Sequence, residues 1–300
     1  MKVLITGAGG LIGSHLVHLL RARGDEVLVA TRDADRANDS AILWDTTSGR
    51  FDLPPRPGLD AVVHLAGAGI GERRWNPKIK AEIRDSRISG TRQVARMLAG
   101  ESDRPIRFLC ASAIGFYGDR GEEVLTEQSP AGRGFLSEVV QAWETEAAAA
   151  AGDGHSVATL RTGIVLDARQ GALAKQLPLF RVGLGAALGN GRQWMSWIHR
   201  FDEVAAIAFL LDHPEITGPV NLVAPNPVTN AEFTRTLAKA LSRPALLRAP
   251  GFALGALLGG EMASELLLSS QRVKPSVLEA AGFEFLHPLL YSALADLLWS

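Results

Sequence analysis

The chain has 300 residues, 47% of them hydrophobic, and sets 31 basic against 32 acidic residues for a formal net charge of −1. That length and apolar content are enough for a full core, as one large domain or a nucleotide-binding domain with a smaller cap, and they exclude a disordered chain. The balanced charge gives no global field toward nucleic acid or an anionic membrane, so neither is expected as a partner.

Apolar runs of strand length alternate with helical patterns through the first half, at Val3 to Ile5, Val27 to Ala30, Ala61 to Leu65, Phe108 to Ala111 and Ala158 to Leu160. This alternation predicts an α/β fold with a doubly wound parallel sheet of Rossmann type. Between the first two runs, Ile12, Leu16, Leu19 and Leu20 share one helical face, and Gly24 stops the helix after Arg21 and Arg23. Cys110 stands alone and cannot form an internal disulfide, and Met1 to Gly7 lacks the regions of a signal peptide, so a cytoplasmic location is expected. After about Leu166 the pattern loosens into segments punctuated by Gly and Pro. From Thr229 onward it becomes helical, with Thr229 and Glu232 at capping-box spacing. A smaller, mostly helical C-terminal lobe is expected, with residues 1–166 and a returning 197–224 in the Rossmann domain and 167–196 and 225–300 in the lobe. The most apolar stretch, Ala249 to Leu268, is broken by Glu261 and Glu265, which argues for a buried helix rather than a lipid-spanning one.

Thr6-Gly7-Ala8-Gly9-Gly10-Leu11-Ile12-Gly13 directly follows a strand and opens a helix, the context in which a glycine pattern cradles a dinucleotide. Gly7 permits the tight turn, Gly10 admits the pyrophosphate to the backbone amides, and Gly13 brings the helix close to the sheet. Leu11 and Ile12 belong to the helix N-terminus, whose partial positive charge faces the phosphates. At the end of the second strand, where a carboxylate would serve the ribose of NAD, stands Thr31, followed by Arg32. A guanidinium there can pair with the 2′-phosphate of NADP. Arg32 is otherwise a solvated surface arginine, with Asp33 left to serve a ribose.

The GxxGxxG spacing, His64-Leu65-Ala66-Gly67, Ser112-Ala113-Ile114-Gly115-Phe116-Tyr117-Gly118 and Trp197-Ile198-His199 with Asp202 together resemble the extended short-chain dehydrogenase/reductases of the NAD-dependent epimerase/dehydratase superfamily. Gly71-Glu72-Arg73-Arg74-Trp75, Phe180 to Gly185, Gln193 to His199 and Ala224 to Asn230 look like its atypical subgroup, the YfcH-like epimerase family proteins. The resemblance spans nearly the whole chain and implies an NADP(H) cofactor contacted by Gly7, Gly10, Leu11, Ile12, Gly13, Thr31, Arg32, Asp45, Leu65, Ala66, Gly67, Arg87, Gly163 and Ile164. The chain departs from the superfamily where chemistry is done. The substrate-polarising serine aligns with Ala113, beside Ser112, and the Tyr-x-x-x-Lys pair aligns with Phe135 and Val139, neither of which transfers a proton. The asparagine near the nicotinamide aligns with Arg87, and the arginine that grips a nucleotide-sugar diphosphate aligns with Met195.

Tyr117 is read as the one ring hydroxyl of the cleft, so Tyr117 and a water held by Ser112 are the catalytic candidates, with local hydrogen bonding as the alternative for each. Arg73, Arg74 and Trp75 follow a strand end and are candidates for the substrate side, together with Arg192, Trp194 and Trp197; the indoles are otherwise inter-lobe core. His199 with Asp202 matches a structural pair, His64 reads as core, and no Cys/His spacing suggests a metal. The expectation is an oxidoreductase or epimerase-like enzyme on an unknown small molecule, monomer or homodimer. The alternative is a sensor or scaffold that binds NADP(H) without turning it over.

Overall fold

Eight strands form the central sheet of the computed structural model, which describes residues 1–38, 40–53, 58–100 and 104–299. They are β1 (Lys2–Thr6), β2 (Glu26–Thr31), β3 (Ala41–Asp45), β4 (Arg50–Phe51), β5 (Ala61–His64), β6 (Arg107–Ala113), β8 (Ser156–Thr162) and β13 (Gly218–Leu222), in the spatial order β13-β8-β6-β5-β1-β2-β3-β4. Every neighbouring pair is parallel except β3 with the edge strand β4. The order runs one way from β1 to β3 and the other way from β5 to β13. The crevice between the carboxyl ends of β1 and β5 is therefore the topological switch point, where such sheets bind ligands.

The strands read as unbroken apolar runs because both faces are covered. Val3, Ile5, Val27, Ala61 and Val63 face α1 (Leu11–Ala22) and α5 (Arg200–Asp212), in one core with Leu16, Leu20, Val204 and Ile207. Leu4, Leu28 and Val62 face the other way, against Val94 and Leu98 of α2 (Pro77–Gly100) and Trp143 of α3 (Phe135–Ala148).

Residues past Leu166 build a second core in which α4 (Gly171–Arg181), α6 (Asn230–Ala240) and α10 (Leu290–Trp299) enclose Phe180, Phe233 and Trp197. Thr229 and Glu232 make both halves of the capping box at the start of α6. Four two-stranded pieces tie the parts together. They are β7 (Val124–Leu125) with β16 (Arg272–Val273), β9 (Ile164–Leu166) with β12 (Trp197–His199), β10 (Ala186–Leu188) with β15 (Leu247–Ala249), and β11 (Trp194–Met195) with β14 (Val228–Thr229).

The segment from Ala249 to Leu268 corrects the expectation of one buried helix. It divides into α7 (Gly251–Leu258), α8 (Gly260–Ala263) and a π-helical turn at Ser264–Leu268, with a left-handed Gly259 at φ 96° between the first two. No residue of α7 is buried. A short α9 (Ser276–Ala280) then leads to α10.

Candidate functional site

The glycine loop closes over the end of β5 with no room to spare. A Cβ on Gly7, which sits at φ 73°, would stand 2.7 Å from the carbonyl carbon of Leu65, and one on Gly13 would stand 2.3 Å from Gly7 O. Gly9, by contrast, faces open space. The N–H of Leu65 donates to Thr6 O at 3.2 Å and that of Ala66 to Thr6 Oγ1 at 3.3 Å, so β1 and the strand-end segment form one rigid wall. Thr6 Oγ1 lies 2.6 Å from His64 Nδ1, and burial pulls the His64 pKa down to about 4. His64 is therefore neutral and structural. With no side chain capping the first N–H groups of α1, the loop fits a dinucleotide pyrophosphate.

At the end of β2, Thr31 Oγ1 accepts the Asp33 N–H at 3.1 Å, forming a turn that leaves Arg32 exposed and without a carboxylate partner among the described residues. Asp45, at the end of β3, accepts from Ser48 Oγ at 2.6 Å and from Thr47 N at 2.9 Å. The Ser48 hydroxyl first, then the Thr47 amide, hold its carboxyl below the usual range, so Asp45 is committed to its own turn.

Arg87 is the cation at the switch point. Its Nη1 donates to Ala68 O at 3.1 Å and Ile83 O at 3.0 Å, its guanidinium carbon lies 5.2 Å from the Trp143 ring, and Gly67 leaves space beside it. No carboxylate pairs with it among the described residues, and burial lowers its pKa to about 10. A desolvated guanidinium with only neutral partners is a seat for an anion.

The N–H groups of Gly163 and Ile164, at the end of β8, donate to Leu222 O at 3.0 Å and Ser196 O at 2.9 Å, so these amides are already engaged. A Cβ on Gly163 would lie 2.7 Å from Ser196 O, which makes glycine obligatory there. Beneath this strand end lies Glu203 of α5, fully buried, accepting from Thr162 Oγ1 at 2.8 Å while its other oxygen has no hydrogen-bond partner among the described residues. Burial pushes its pKa up to about 8.

The catalytic expectations for Tyr117 and Ser112 need correction. Tyr117 is 0% exposed, and its hydroxyl donates to Asn221 Oδ1 at 2.7 Å and accepts from Arg161 Nη1 at 3.0 Å. Ser112 donates to Glu144 Oε1 at 2.6 Å, and Glu144 holds Arg161 by two hydrogen bonds of 2.8 Å. Both hydroxyls thus belong to one interior network that joins β6, β8, α3 and β13, and burial first raises the Tyr117 pKa above its ordinary value. Neither faces a cleft, because the Arg161–Glu144 ion pair needs their hydrogen bonds.

The substrate-side candidates part company. Arg73 pairs with Glu82 at 2.7 Å, and the Arg74 side chain lies against Gly259 of the second lobe. The Trp75 indole donates to Ile70 O at 2.8 Å, and its ring meets Phe135 edge-on at 5.2 Å. Trp75 and Phe135 line a hollow of about 590 Å³ together with Lys80, Arg84 and Glu261. There the Lys80 ammonium lies 4.3 Å from the Phe135 ring centroid and 2.7 Å from Glu261. Trp197 corrects its own assignment: it is 0% exposed, bonds Asn226 O at 3.1 Å and belongs to the lobe core. Trp194 is held instead by Glu122 at 2.7 Å and by Arg272 above its ring, while Arg192 is exposed.

Sequence reasoning passed over Lys80, Arg84 and Glu203, and took Glu261 and Glu265 only as interruptions of an apolar stretch. The spacing of Lys80, Arg84 and Arg87 along one helical face was a readable signal. Glu265 was not, since its carboxylate reaches across the chain to accept from the N–H groups of Phe135 and Leu136, both at 2.8 Å, and so caps α3. His199, His287 and Asp296 bring three ligand-type atoms within 4.8 Å of one another. Phe201 N–H donates to His199 Nδ1 at 3.1 Å, so the neutral ring carries its proton on Nε2, facing Asp296 at 3.2 Å. A metal on Nε2 would force that proton onto the nitrogen that caps α5, so the group is read as two packed imidazoles beside a carboxylate rather than a metal site. Asp202 accepts from the N–H groups of Leu286 and His287 at 2.8 and 2.9 Å and pins the C-terminal segment.

Comparison with known proteins agrees with this geometry. Residues 3–223 match the NAD dependent epimerase/dehydratase family, and residues 249–297 match a domain of unknown function, DUF1731. An epimerase family protein of Mycobacterium leprae is 43% identical over 98% of this chain and 94% of its own length. An Arabidopsis thaliana homologue described as chloroplastic is 38% identical over 98% of this chain and 86% of its own length. Among solved structures, the human epimerase family protein SDR39U1, crystallised with NADPH, superposes with a TM-score of 0.90 at 34% identity over 99% of both chains. The chain belongs to the NAD dependent epimerase/dehydratase family.

Proposed function

We propose that this chain binds NADP(H) across the carboxyl ends of β1 and β5 and acts as an oxidoreductase or epimerase-like enzyme on a small molecule. The observation that carries the reading is a pair of arginines without carboxylate partners among the described residues, Arg32 and Arg87, on either side of a glycine loop whose close approaches at Gly7 and Gly13 exclude other residues. The NADPH in the human relative supports it. Gly7, Gly10, Leu11, Ile12 and Gly13 would hold the pyrophosphate, Arg32 the 2′-phosphate and Arg87 an anion nearer the nicotinamide. When bound, the cofactor supplies a hydride donor or acceptor. The hollow beside Trp75 and Phe135 offers Lys80 and Arg84 to a carbonyl or acidic group of the substrate. With Tyr117 and Ser112 engaged in the interior, Lys80 or solvent supplies the proton.

Separate titration with NADPH and NADH, read by energy transfer from the six tryptophans, tests this. NADPH should bind at least ~tenfold more tightly, a difference of ~1.4 kcal/mol, and Arg32→Ala should abolish the preference. Equal affinities would remove Arg32 from the site, and binding of neither would end the reading. A second reading, a sensor or scaffold that binds NADP(H) without turnover, is favoured by the burial of Tyr117. Oxidation of NADPH with any member of a carbonyl panel would eliminate it.

A further inference from the structure

The exposed end of the second lobe inverts the usual arrangement of a surface helix. The outward face of α7 consists of Phe252, Ala253, Ala256 and Leu257, with Phe252 82% and Leu257 73% exposed. Soluble helices turn such a stripe inward, and monomers seldom leave a contiguous apolar patch in water. Pro250 joins α7 directly to β15, where Leu246 is 90% exposed, and Gly189 N–H donates to Ala249 O at 2.8 Å, continuing the β10/β15 pairing. Arg243 Nε donates to Arg181 O at 2.8 Å, which brings the exposed Val182 and Leu184 after α4 to the same end.

On the β10/β15 side of this apolar end the charge is basic, and Glu261 beyond α7 is taken up by Lys80. From Ala240 to Gly260, the segment that carries β15 and α7, there are two basic residues, Arg243 and Arg248, and no acidic one, and Arg181 at the end of α4 is joined to it through Arg243. Arg181, Arg243 and Arg248 are exposed and have no carboxylate partner among the described residues. The net charge of −1 hides this concentration, because fields at a surface act over about 10 Å and follow local rather than total charge.

We propose that this end of the lobe, α7 with the β10/β15 pair, docks on an anionic lipid surface. Phe252 and Leu257 enter the boundary between headgroups and acyl chains while Arg181, Arg243 and Arg248 meet the headgroup charges. A helix of eight residues is too short to span, so it lies in the interface. A second copy of the chain is the poorer occupant, since two such faces would oppose arginines to arginines. The proposal replaces the expectation, drawn from net charge alone, that no membrane partner exists.

Flotation of the full chain with vesicles of phosphatidylcholine alone, and of phosphatidylcholine mixed with phosphatidylglycerol, is the test. The chain should float with the anionic vesicles only, and high salt should release it. Phe252→Ser with Leu257→Ser should abolish flotation, and Arg243→Ala with Arg248→Ala should lower the partition ~thirtyfold. All four positions are exposed, so unchanged melting temperatures confirm that the variants are folded. Failure to float, or equal flotation with neutral vesicles, overturns the proposal. So does self-association in solution that the Phe252 and Leu257 substitutions remove, which would give the face to a second copy.

Discussion

Replacing Glu203 with glutamine isolates the cost of one buried carboxyl. In the wild type this group is fully buried and leaves one oxygen without a hydrogen-bond partner among the described residues, and burial raises its pKa from 4.5 to about 8 against the opposing hydrogen bond from Thr162. A carboxyl whose folded pKa exceeds its unfolded value binds more protons when folded, so stability is complete below pH 4.5 and is lost as pH rises toward 8. The full shift corresponds to at most ~5 kcal/mol, a large part of the 5–15 kcal/mol that typically holds a domain together. Glutamine keeps the hydrogen bond to Thr162 and cannot ionise. Urea unfolding followed by tryptophan fluorescence should therefore show the wild type weakening steadily from pH 5 to about 8 relative to Glu203→Gln and levelling off above, with equal slopes on denaturant at each pH. Parallel pH profiles for the two proteins would refute the reasoning and place a compensating partner at the second oxygen.

The glycine loop allows a paired comparison. Gly13→Ala should destroy cofactor binding and destabilise the fold by several kcal/mol, about what overpacking of a tight contact costs, because its Cβ would lie 2.3 Å from Gly7 O. Gly9→Ala meets nothing within 4 Å and should bind NADPH nearly as the wild type does; equal losses in the two would sink the packing argument. Tyr117→Phe should lower stability by ~1–3 kcal/mol, since Asn221 and Arg161 lose a buried partner, while NADPH affinity stays unchanged. A large loss of affinity with unchanged stability would return Tyr117 to the cleft.

The parts of this protein legible in its sequence are those written in local pattern. Alternating apolar runs located β1, β2, β5, β6 and β8, because strands buried on both faces must be apolar throughout. The glycine loop was visible because its turn at Gly7 and the close approach at Gly13 admit no other residue, and the Thr229–Glu232 capping box because both partners lie within one turn. The short strand β3, Ala41 to Asp45, was missed although Ala41 to Trp44 is an apolar run like the others, because no α-helical pattern separates it from β2. The direction a side chain takes was not legible. Tyr117 carried the right chemistry beside a strand end and yet turns inward to Asn221, and Trp197 fills the lobe core. Equally, Ala249 to Leu268 is apolar enough for a core helix, but Gly259 breaks it and leaves α7 outside. Periodicity and glycine placement report constraints that act within a few residues. Contacts such as Glu265 with Phe135, or Arg161 with Glu144, depend on segments far apart in the chain, and only the folded sheet brings them together.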